Sequence, residues 1–314
     1  MIVETLVHPH TIERDNLPEA VAAIGFFDGV HKGHQAVIAQ AIDKAKESGK
    51  ESVVVTFDPH PSVVLQKNNN PVKYITPINA KVRRLEELGV DRVYVVHFDK
   101  ELAKLSPQEF IEQFIIGLHI THLVAGFDFT FGHKGAGNMK NIHEMIDNHL
   151  EVTTVTRLDY QDEKVSSTRI REQMKQGNME EIETLLGRPY SLMGEVIHGD
   201  KRGRTIGFPT ANVKVEEDYI IPKIGVYAVE IEIGNKKYFG MANIGYNPTF
   251  TDDRENKKIE VHIFDFNDDI YGETIVVDWK KYIRTEEKFS GVDELIKKMR
   301  EDEVISRDFF RINK

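Results

Sequence analysis

The first half of the chain alternates short apolar runs with longer segments of helical character. The apolar runs are "AVAAIGFF", "ESVVVTF", "RVYVVHF" and "THLVAGF", and the segments between them include "INAKVRRLEELG" and "PQEFIEQFIIGL". This alternation is typical of βαβ units, so the pattern over about residues 20–186 predicts a parallel sheet covered by helices. Gly49 and Gly89 each follow a predicted helix and precede a strand, where a left-handed helix cap is expected.

The pattern changes at about Gly187. From there to about residue 285, strands follow one another with glycine or polar turns, as in "GVYAVEIEIGNKKYFGMANIG" and "ETIVVDWKKYI". Such a run of strands predicts an all-β barrel or sandwich. The last segment, "GVDELIKKMREDEVISRDFF", has apolar residues at helical spacing, which predicts a closing helix that packs on the β domain. We therefore predict two domains, residues 1–186 and 187–314.

Composition narrows the class of protein. The chain has 314 residues, of which 40% are hydrophobic, enough for two cores. Lys and Arg number 41 against 51 Asp and Glu, and this net charge of −10 argues against a broad grip on a nucleic-acid backbone. The absence of cysteine excludes disulfides, thiolate nucleophiles and cysteine zinc sites. No apolar stretch has the length of a membrane span or the pattern of a signal peptide. We expect a soluble cytoplasmic protein with no nucleic-acid or membrane partner; an oligomer is possible but not implied.

The stretch "GFFDGVHKGH" follows the first strong predicted strand and leads into a predicted helix. In this geometry, backbone N–H groups and the helix dipole can bind an anion. Gly29 and Gly33 would let the backbone approach a phosphate closely, while His31 and His34 could donate hydrogen bonds to it. Two alternatives stay open on the residues alone: a metal site built from Asp28 and the two histidines, and a solvated loop with incidental histidines.

Three later stretches could also carry chemistry. "SSTRIR" precedes a helix, and "GDKRGRTIGFPTAN" places basic residues among glycines before a proline turn, a setting that suits a triphosphate and Mg²⁺. "KIEVHIFDF" alternates strictly, so Glu260 and His262 share the polar face of a strand. Each pattern alone has an ordinary explanation: a helix N-cap with exposed arginines, a solvated basic turn, and a solvent-facing glutamate.

The order of the motifs carries a family resemblance. "GFFDGVHKGH" resembles the HxGH signature of the nucleotidylyltransferase superfamily, and with "TFDPHP" and "GFDFTFG" it is similar to the adenylyltransferase module of prokaryotic FAD synthetases. "GRPYSLMGEVIHGDKRGRTIGFPTANV", "GVYAV", "NIGYNPTF" and "EVHIFDF" resemble the riboflavin kinase module of the same bifunctional proteins. The resemblance covers nearly the whole chain. It implies a Rossmann-like nucleotidylyltransferase domain followed by a riboflavin-kinase-like β-barrel and a C-terminal helix.

The resemblance also implies two reactions. Riboflavin would be phosphorylated by ATP to FMN, and FMN would then take the adenylyl group of a second ATP to give FAD and pyrophosphate. ATP and Mg²⁺ would serve as co-substrate and metal, and riboflavin, FMN and FAD as flavin ligands. Two alternatives remain: a monofunctional FAD synthetase with an inactive kinase half, and a flavin-binding regulator without turnover.

Motif position implies roles in the first domain. His31 and His34 would act in adenylyl transfer. The positions implied to contact nucleotide phosphates there are Gly25, Phe27, Gly29, Gly33, Ser167, Thr168, Arg169 and Arg171. Those implied to contact flavin are Asp58, Phe127 and Asp128. Asp28 fits a turn-stabilising role as well as a catalytic one, and Phe26 stands where the family often has asparagine, so neither receives a role.

In the second domain, Glu260 stands at the position of the family's proposed general base, which would accept the proton of the riboflavin 5′-hydroxyl. The implied nucleotide-binding positions are Lys201, Arg204, Gly207, Pro209, Thr210 and Asn212. Thr210 and Asn212 would also bind Mg²⁺. Arg307, in the last predicted helix, resembles a family arginine near the flavin, and His262 is expected to be structural.

Overall fold

The computed structural model describes residues 1–65, 72–146, 150–199, 202–215, 217–246 and 257–312. The chain divides into two compact units, Met1–Ser167 and Thr168–Lys314.

The first unit contains ten strands and four α-helices in its described residues. The strands are β1 (Ile2–Leu6), β2 (Ala20–Ile24), β3 (Glu51–Asp58), β4 (Arg92–His97), β5 (Ile120–Gly126), β6 (Thr130–Phe131), β7 (Gly137–Asn138), β8 (Glu151–Val155), β9 (Asp159–Tyr160) and β10 (Glu163–Lys164). The helices are α1 (Lys32–Ser48), α2 (Pro61–Leu65), α3 (Ile78–Glu87) and α4 (Pro107–Ile111), the last continued by one π turn, Glu112–Ile116. Short 3-10 turns cover Arg14–Asn16, Leu102–Lys104, His133–Gly135 and Ile142–Glu144.

Six of these strands form one sheet in the order β1-β4-β3-β2-β5-β8, and every pairing in it is parallel. All five residues of β2 are buried because both faces of the sheet are covered: Ala20, Ala22 and Ile24 enter one apolar cluster, and Val21 and Ala23 enter the other. The predicted parallel sheet is thereby confirmed. Strand order reverses direction between β2 and β5, and in such sheets ligands bind at the carboxyl ends of the strands where this reversal occurs.

Helix α1 packs on the sheet through one apolar stripe. Its buried residues, spaced at three or four positions, are Val37, Ile38, Ala41, Ile42 and Ala45. The helix ends at Gly49, whose φ of 67° is left-handed, and Gly89 after α3 has a φ of 84°. Both predicted left-handed glycine caps are confirmed.

The second unit is built around a barrel. Its strands are β11 (Tyr190–Ile197), β12 (Ala211–Lys214), β13 (Gly225–Ile233), β14 (Lys236–Tyr246), β15 (Lys257–Ile263) and β16 (Thr274–Arg284). They close in the order β11-β12-β15-β14-β13-β16, with every pairing antiparallel. The helices are α5 (Ser167–Gln176), of which the first residue belongs to the first unit, α6 (Met179–Leu186), α7 (Arg202–Thr205) and α8 (Val292–Phe310). The expected all-β barrel and C-terminal helix are confirmed.

The helices α5 and α6 pack with the barrel, whereas the sequence analysis places them in the first domain. The Lys223 N–H donates to the Met174 carbonyl at 3.1 Å, and Lys280 of β16 pairs with Glu183 of α6 at 3.0 Å. The compact units therefore divide earlier in the chain than the predicted boundary after Leu186. A functional boundary at that residue stays a prediction.

Helix α8 packs on the barrel, as its apolar spacing predicts, but charged residues form much of the packed face. Its buried residues are Asp302, Glu303, Ser306 and Arg307, whereas Val292, Val304, Ile305 and Phe309 are exposed. Burial of these charges is tolerated because they are paired: Arg284 of β16 holds Asp302 through two nitrogens at 2.8 and 2.7 Å, and Arg307 contacts Glu303 at 2.9 Å. Ile296 and Met299 add partly buried apolar contacts. The expected packing of the last helix on the β domain is confirmed, and the paired charged residues complete its packed face.

Among the described helices, α8 included, none combines the length and the apolar character that a membrane crossing requires.

Candidate active sites

The loop between β2 and α1 has an unusual backbone. Phe27 (φ 53°), Gly29 (φ 89°) and Val30 (φ 41°) all lie in the left-handed region. Glycine adopts this region freely, but Phe27 and Val30 each pay about 1–2 kcal/mol for it. Such a conformation persists only where surrounding contacts hold it, and it marks functional loops.

Asp28 provides one of those contacts. It is 4% exposed, and its Oδ1 accepts the backbone N–H of Thr76 at 3.0 Å. The Ser167 hydroxyl donates to the Asp28 carbonyl at 2.8 Å. The structure thus gives Asp28 a loop-stabilising role, and it attaches Ser167, which the resemblance assigns to phosphate contact, directly to the histidine loop.

The two histidines lie at the start of α1 with their rings stacked, at 3.5 Å between centroids. His31 is the N-cap: its Nδ1 accepts the His34 backbone N–H at 3.2 Å, so the proton of the neutral ring is on Nε2. The ring of His34 also contacts Phe27 edge-on at 5.3 Å. Burial lowers the pKa of His34 well below its usual value, and the positive charges of Lys81 and Lys164 lower it further. Its Nδ1 is buried and has no hydrogen-bond partner among the described residues.

Two glycines of the loop are required because aromatic rings lie close to their Cα atoms. A Cβ at Gly33 would lie 3.1 Å from the His31 ring, and a Cβ at Gly25 would lie 2.9 Å from the Phe27 ring. Both distances are shorter than ordinary van der Waals contact. Gly25 and Gly33 therefore make room for the rings of Phe27 and His31.

Phe26, which the sequence left unassigned, joins the loop to the end of β3. Its ring contacts His60 edge-on at 4.3 Å, and its carbonyl accepts the Thr56 hydroxyl at 3.0 Å. The ammonium of Lys81, from α3, donates to the same carbonyl at 2.7 Å and lies 4.3 Å from the ring centroid. Sequence reasoning missed Lys81, although a lysine within the apolar spacing of "INAKVRRLEELG" was a signal.

The expected flavin contacts of this unit lie at the carboxyl ends of strands next to β2. Asp58 ends β3, and Phe127 and Asp128 follow β5. Burial raises the pKa of Asp58, while the positive charges of Lys81 and His97 oppose that rise. Phe127 is 43% exposed, and Lys164 pairs with Asp128 and lies 4.8 Å from the Phe127 ring centroid. The parallel sheet therefore brings these residues to the same edge as the histidine loop.

The rest of the "STRIR" motif belongs to the second compact unit. Arg169 donates through two nitrogens to Glu181 of α6, at 2.9 and 2.6 Å, so its charge is neutralised. Arg171 lines a cavity of about 790 Å³ that also includes Lys175, Lys223 and Lys257. Thr168 is the first residue of this unit.

In the barrel, a cavity of about 430 Å³ gathers part of the predicted nucleotide site. Arg204, Pro209 and Thr210 line it. Gly207 precedes them with a φ of 85°, a backbone that favours glycine. The other wall is the segment after β15, Phe266–Tyr271, which sequence reasoning missed; its run of acidic and aromatic letters, "FNDDIY", was the available signal. Lys201 lies outside the described residues.

Three polar side chains form a row across neighbouring strands. Glu260 of β15 pairs in register with Asn212 of β12 on one side and with Asn243 of β14 on the other. Cross-strand partners share a face of the sheet, so these three residues form one polar row. Lys258 pairs with Glu260 at 2.8 Å, and Asn243 donates to Glu286 at 3.2 Å. Asn243 was not predicted, although "NIGYNPTF" was.

Asn212 is held tightly at one end of this row. It is 7% exposed, and a Cβ at Gly199 would lie 2.0 Å from its Nδ2, so only glycine fits there. Its Oδ1 is buried with no hydrogen-bond partner in the part of the chain that the structure describes. Next to it, the His262 Nδ1–H donates to the Pro209 carbonyl at 2.7 Å, which fixes the proline turn and gives His262 a structural role.

Arg307, expected near a flavin, is 6% exposed and used in ion pairs. It contacts both carboxylate oxygens of Asp265, at 3.0 and 2.9 Å, as well as Glu303. Asp265 has a left-handed φ of 55° and directly precedes the segment that walls the barrel cavity. Arg307 therefore anchors the start of that wall.

The candidate residues thus form two groups on two folds, one at the edge of a parallel sheet and one on a barrel face. Residues 13–169 match the family described as FAD synthetase, and residues 186–310 match the one described as riboflavin kinase. The chain belongs to the family of bifunctional riboflavin kinase/FMN adenylyltransferases.

Relatives of that description cover the whole architecture. The protein of this name from Listeria monocytogenes is 49% identical over 97% of this chain and 97% of its own length. The one from Bacillus subtilis is 48% identical over 95% of this chain and 94% of its own. A crystal structure from Streptococcus pneumoniae, described as a macrolide-efflux protein, is 36% identical with a TM-score of 0.87, over 98% of this chain and 99% of that one.

Proposed function

We propose that this chain makes FAD from riboflavin in two steps, one in each unit. In the barrel, the riboflavin 5′-hydroxyl attacks the γ-phosphorus of ATP, giving FMN and ADP while the hydroxyl proton goes to a base. In the first unit, the FMN phosphate attacks the α-phosphorus of a second ATP, giving FAD and pyrophosphate. The observation that carries the proposal is the coexistence of the histidine loop at the strand-order reversal and the Asn212–Glu260–Asn243 row on the barrel.

In the adenylyl-transfer site, His31 and His34 would contact the nucleotide phosphates. The His31 Nδ1 accepts a backbone N–H, which leaves Nε2–H as its donor. His34 is neutral near pH 7 because burial lowers its pKa. A phosphate beside it would supply both the missing hydrogen-bond partner and a negative charge that favours a proton on the ring. Donors placed in this way stabilise charge that spreads over phosphoryl oxygens during transfer.

The remaining positions of the first site follow from the same arrangement. Gly25, Phe27, Gly29 and Gly33 would shape the loop around the phosphates, and Ser167, tied to Asp28, would close it. Asp58, Phe127 and Asp128 would contact the flavin from the neighbouring strand ends. We retain Thr168, Arg169 and Arg171 as phosphate contacts by family position only.

In the kinase site, Glu260 would accept the proton of the riboflavin hydroxyl. A positioned carboxylate contributes about 10²- to 10⁴-fold to such a step. The neighbouring cavity, with Arg204, Gly207, Pro209 and Thr210, would hold ATP, and Lys201 belongs to this set by family position. Arg307 would act on the site through Asp265 and the cavity wall.

The residues present fit a magnesium ion. The buried Asn212 Oδ1 has no partner among the described residues, and an amide oxygen is a ligand that Mg²⁺ accepts. Thr210, two residues earlier and on the cavity wall, would supply a hydroxyl oxygen. The ion would neutralise negative charge on the ATP phosphates. Among the described residues, no group of three histidine or carboxylate side chains is placed to hold a metal.

One experiment tests the proposal directly. Purified protein is incubated with riboflavin, ATP and Mg²⁺, and the flavins are separated by chromatography over time. We expect FMN to appear first and FAD to follow. FAD formed only from supplied FMN would indicate a monofunctional synthetase, and flavin binding without ATP consumption would indicate a regulator. A cytoplasmic location stays a prediction from the sequence.

A further inference from the structure

Lys81 is the one lysine that is buried in the described part of the chain, with 2% of its surface exposed. It belongs to α3, in the first unit, and none of the sequence motifs includes it. A buried ammonium is costly unless its hydrogen bonds and charge are compensated. Its place in the core therefore requires an explanation from its contacts.

Those contacts converge on a single point of the histidine loop. The Lys81 ammonium donates to the Phe26 carbonyl at 2.7 Å and approaches the Thr56 hydroxyl at 3.3 Å. Thr56 itself donates to the Phe26 carbonyl at 3.0 Å. The ring of Phe26 also lies 4.3 Å from the ammonium, a cation–π distance. One carbonyl thus receives two donors, of which one is charged.

That carbonyl directly precedes the strained part of the loop. Phe27, Gly29 and Val30 follow it with left-handed φ angles. Other contacts also hold the loop, among them the Thr76 N–H to the Asp28 carboxylate, the Ser167 hydroxyl to the Asp28 carbonyl, and the Gly25 N–H to the Val55 carbonyl at 3.1 Å. A hydrogen bond from a charged donor is about twice as strong as a neutral one.

We propose that Lys81 is a positioning residue for adenylyl transfer: its ammonium, bonded to the Phe26 carbonyl, holds the loop that carries His31 in the conformation that binds nucleotide phosphates. The inference rests on the proposed role of that loop. Lys81 acts through the backbone, and it does not contact the reacting atoms in this role.

The charged groups around Lys81 allow a distinctive pH readout. Burial lowers the pKa of Lys81 to about 8, while Asp28 in the loop and Asp58 at the end of β3 oppose that fall. His34 of α1 also faces this charge, but its own pKa lies well below neutrality. Between about pH 7 and 9, Lys81 is therefore the group of this set that loses its charge.

The test compares Lys81→Met, which keeps the length and apolar stem, with Lys50→Met as a matched control. Lys50 lies in the same unit, bonded to Thr121 at 2.8 Å and Glu19 at 2.9 Å, outside the site. For FMN adenylylation, we expect Lys81→Met to lower kcat/KM by about 10- to 100-fold, mainly through KM for ATP. Lys50→Met should match wild type, and riboflavin phosphorylation in the barrel should be unchanged in both variants. Wild-type adenylylation should also fall as the pH rises through about 8, and Lys81→Met should lack that fall.

The outcomes separate this proposal from the function on which it rests. Wild-type protein that makes no FAD from FMN overturns the proposed function and this role together. FAD synthesis in wild type with equal kcat/KM in Lys81→Met and Lys50→Met overturns the role of Lys81 alone.

If Lys81→Met does not fold, Lys81→Gln decides, because its amide can still donate to the carbonyl. An intermediate loss supports the proposal and an unchanged kcat/KM contradicts it. Should that variant also fail to fold, a wild-type pH profile without a fall near 8 overturns the proposal.

Discussion

The two sites of this chain position their polar groups in different ways. At the edge of the parallel sheet, a loop carries the histidines, and its left-handed backbone is held by Lys81, Asp28 and Ser167. On the barrel, Asn212 and Glu260 stand on neighbouring strands, where the alternation of the strands places them on one face. The first site therefore depends on the conformation of a loop, whereas the second depends on individual side chains on a rigid frame.

The two sites also differ in how strongly burial affects their charged groups. Burial lowers the pKa of His34 well below its usual value and that of Lys81 to about 8, so Lys81 is the group of this pair that changes its charge just above neutrality. In the barrel, Glu260 and Lys258 pair at 2.8 Å with about one third of each side chain exposed, and solvent screens such a pair. A test of one site should thus leave the other unchanged.

Glu260→Gln gives the largest expected effect. The amide keeps the size of the side chain but cannot accept the hydroxyl proton, so riboflavin phosphorylation should fall by about 10²- to 10⁴-fold while adenylylation of supplied FMN stays at wild-type rate. Separate assays with riboflavin and with FMN measure this. Glu232→Gln, on an exposed position of β13, is the matched control. Equal loss of both activities would contradict independent sites.

His31 tests the opposite half of the comparison. His31→Ala removes both the N-cap and the ring, whereas His31→Asn restores a capping oxygen without the ring. We expect adenylylation to fall by about 10²-fold or more in both variants, because a donor to the phosphates is lost, with phosphorylation unchanged. Thermal unfolding should measure the contribution of the N-cap by itself, because His31→Asn should recover most of the stability that His31→Ala loses. Full activity in His31→Asn would mean that His31 serves only as the N-cap of α1.

Much of this comparison could be predicted from the sequence. The run "AVAAI" predicts a buried strand, the glycines after α1 and α3 predict their caps, and strict alternation in "KIEVHIFDF" places Glu260 on the polar face; the structure confirms all three. These features are local, since they depend on periodicity and on single residues with special backbones. Such local signals can be recognised in a sequence without knowledge of the tertiary structure.

What could not be predicted depends on contacts between distant segments. The spacing of α3 places Lys81 among apolar residues, but only the fold shows that it contacts Phe26, and Asn243 becomes part of the polar row only through strand register. The charged part of the packed face of α8 could not be predicted from its apolar spacing, because it depends on Arg284 of β16, which pairs with Asp302.

Arg307→Lys tests whether the barrel site is held as a rigid frame. Lysine keeps the charge beside Glu303 but loses the two-nitrogen contact with Asp265, so the cavity wall should loosen. We expect KM for ATP in riboflavin phosphorylation to rise about 3- to 10-fold, which is about 0.7–1.4 kcal/mol. Arg284→Lys is the control: it breaks an equivalent pair with Asp302 of the same helix, yet it does not hold that wall. A rise confined to KM for riboflavin would instead support the flavin contact that the resemblance implies.

The smallest effect concerns acid stability, which should distinguish the two units. Burial lowers the pKa of folded His34, while the unfolded chain keeps the ordinary value near 6.5, so the unfolded state binds more protons below that pH. The stability contributed by neutral His34 is therefore present above about pH 6.5 and is lost as the pH falls, by at most about 1.4 kcal/mol per pH unit.

Native-state hydrogen exchange of α1 amides between pH 5 and 7.5, corrected for intrinsic rates, measures this loss. His34→Gln should flatten the slope in α1, and His143→Gln, at an exposed position, should not. In β15, burial lowers the pKa of His262 and a hydrogen bond to Pro209 opposes that fall, so the slope should be shallower. Equal slopes in α1 and β15 would show that acid sensitivity does not distinguish the loop-built site from the strand-built one.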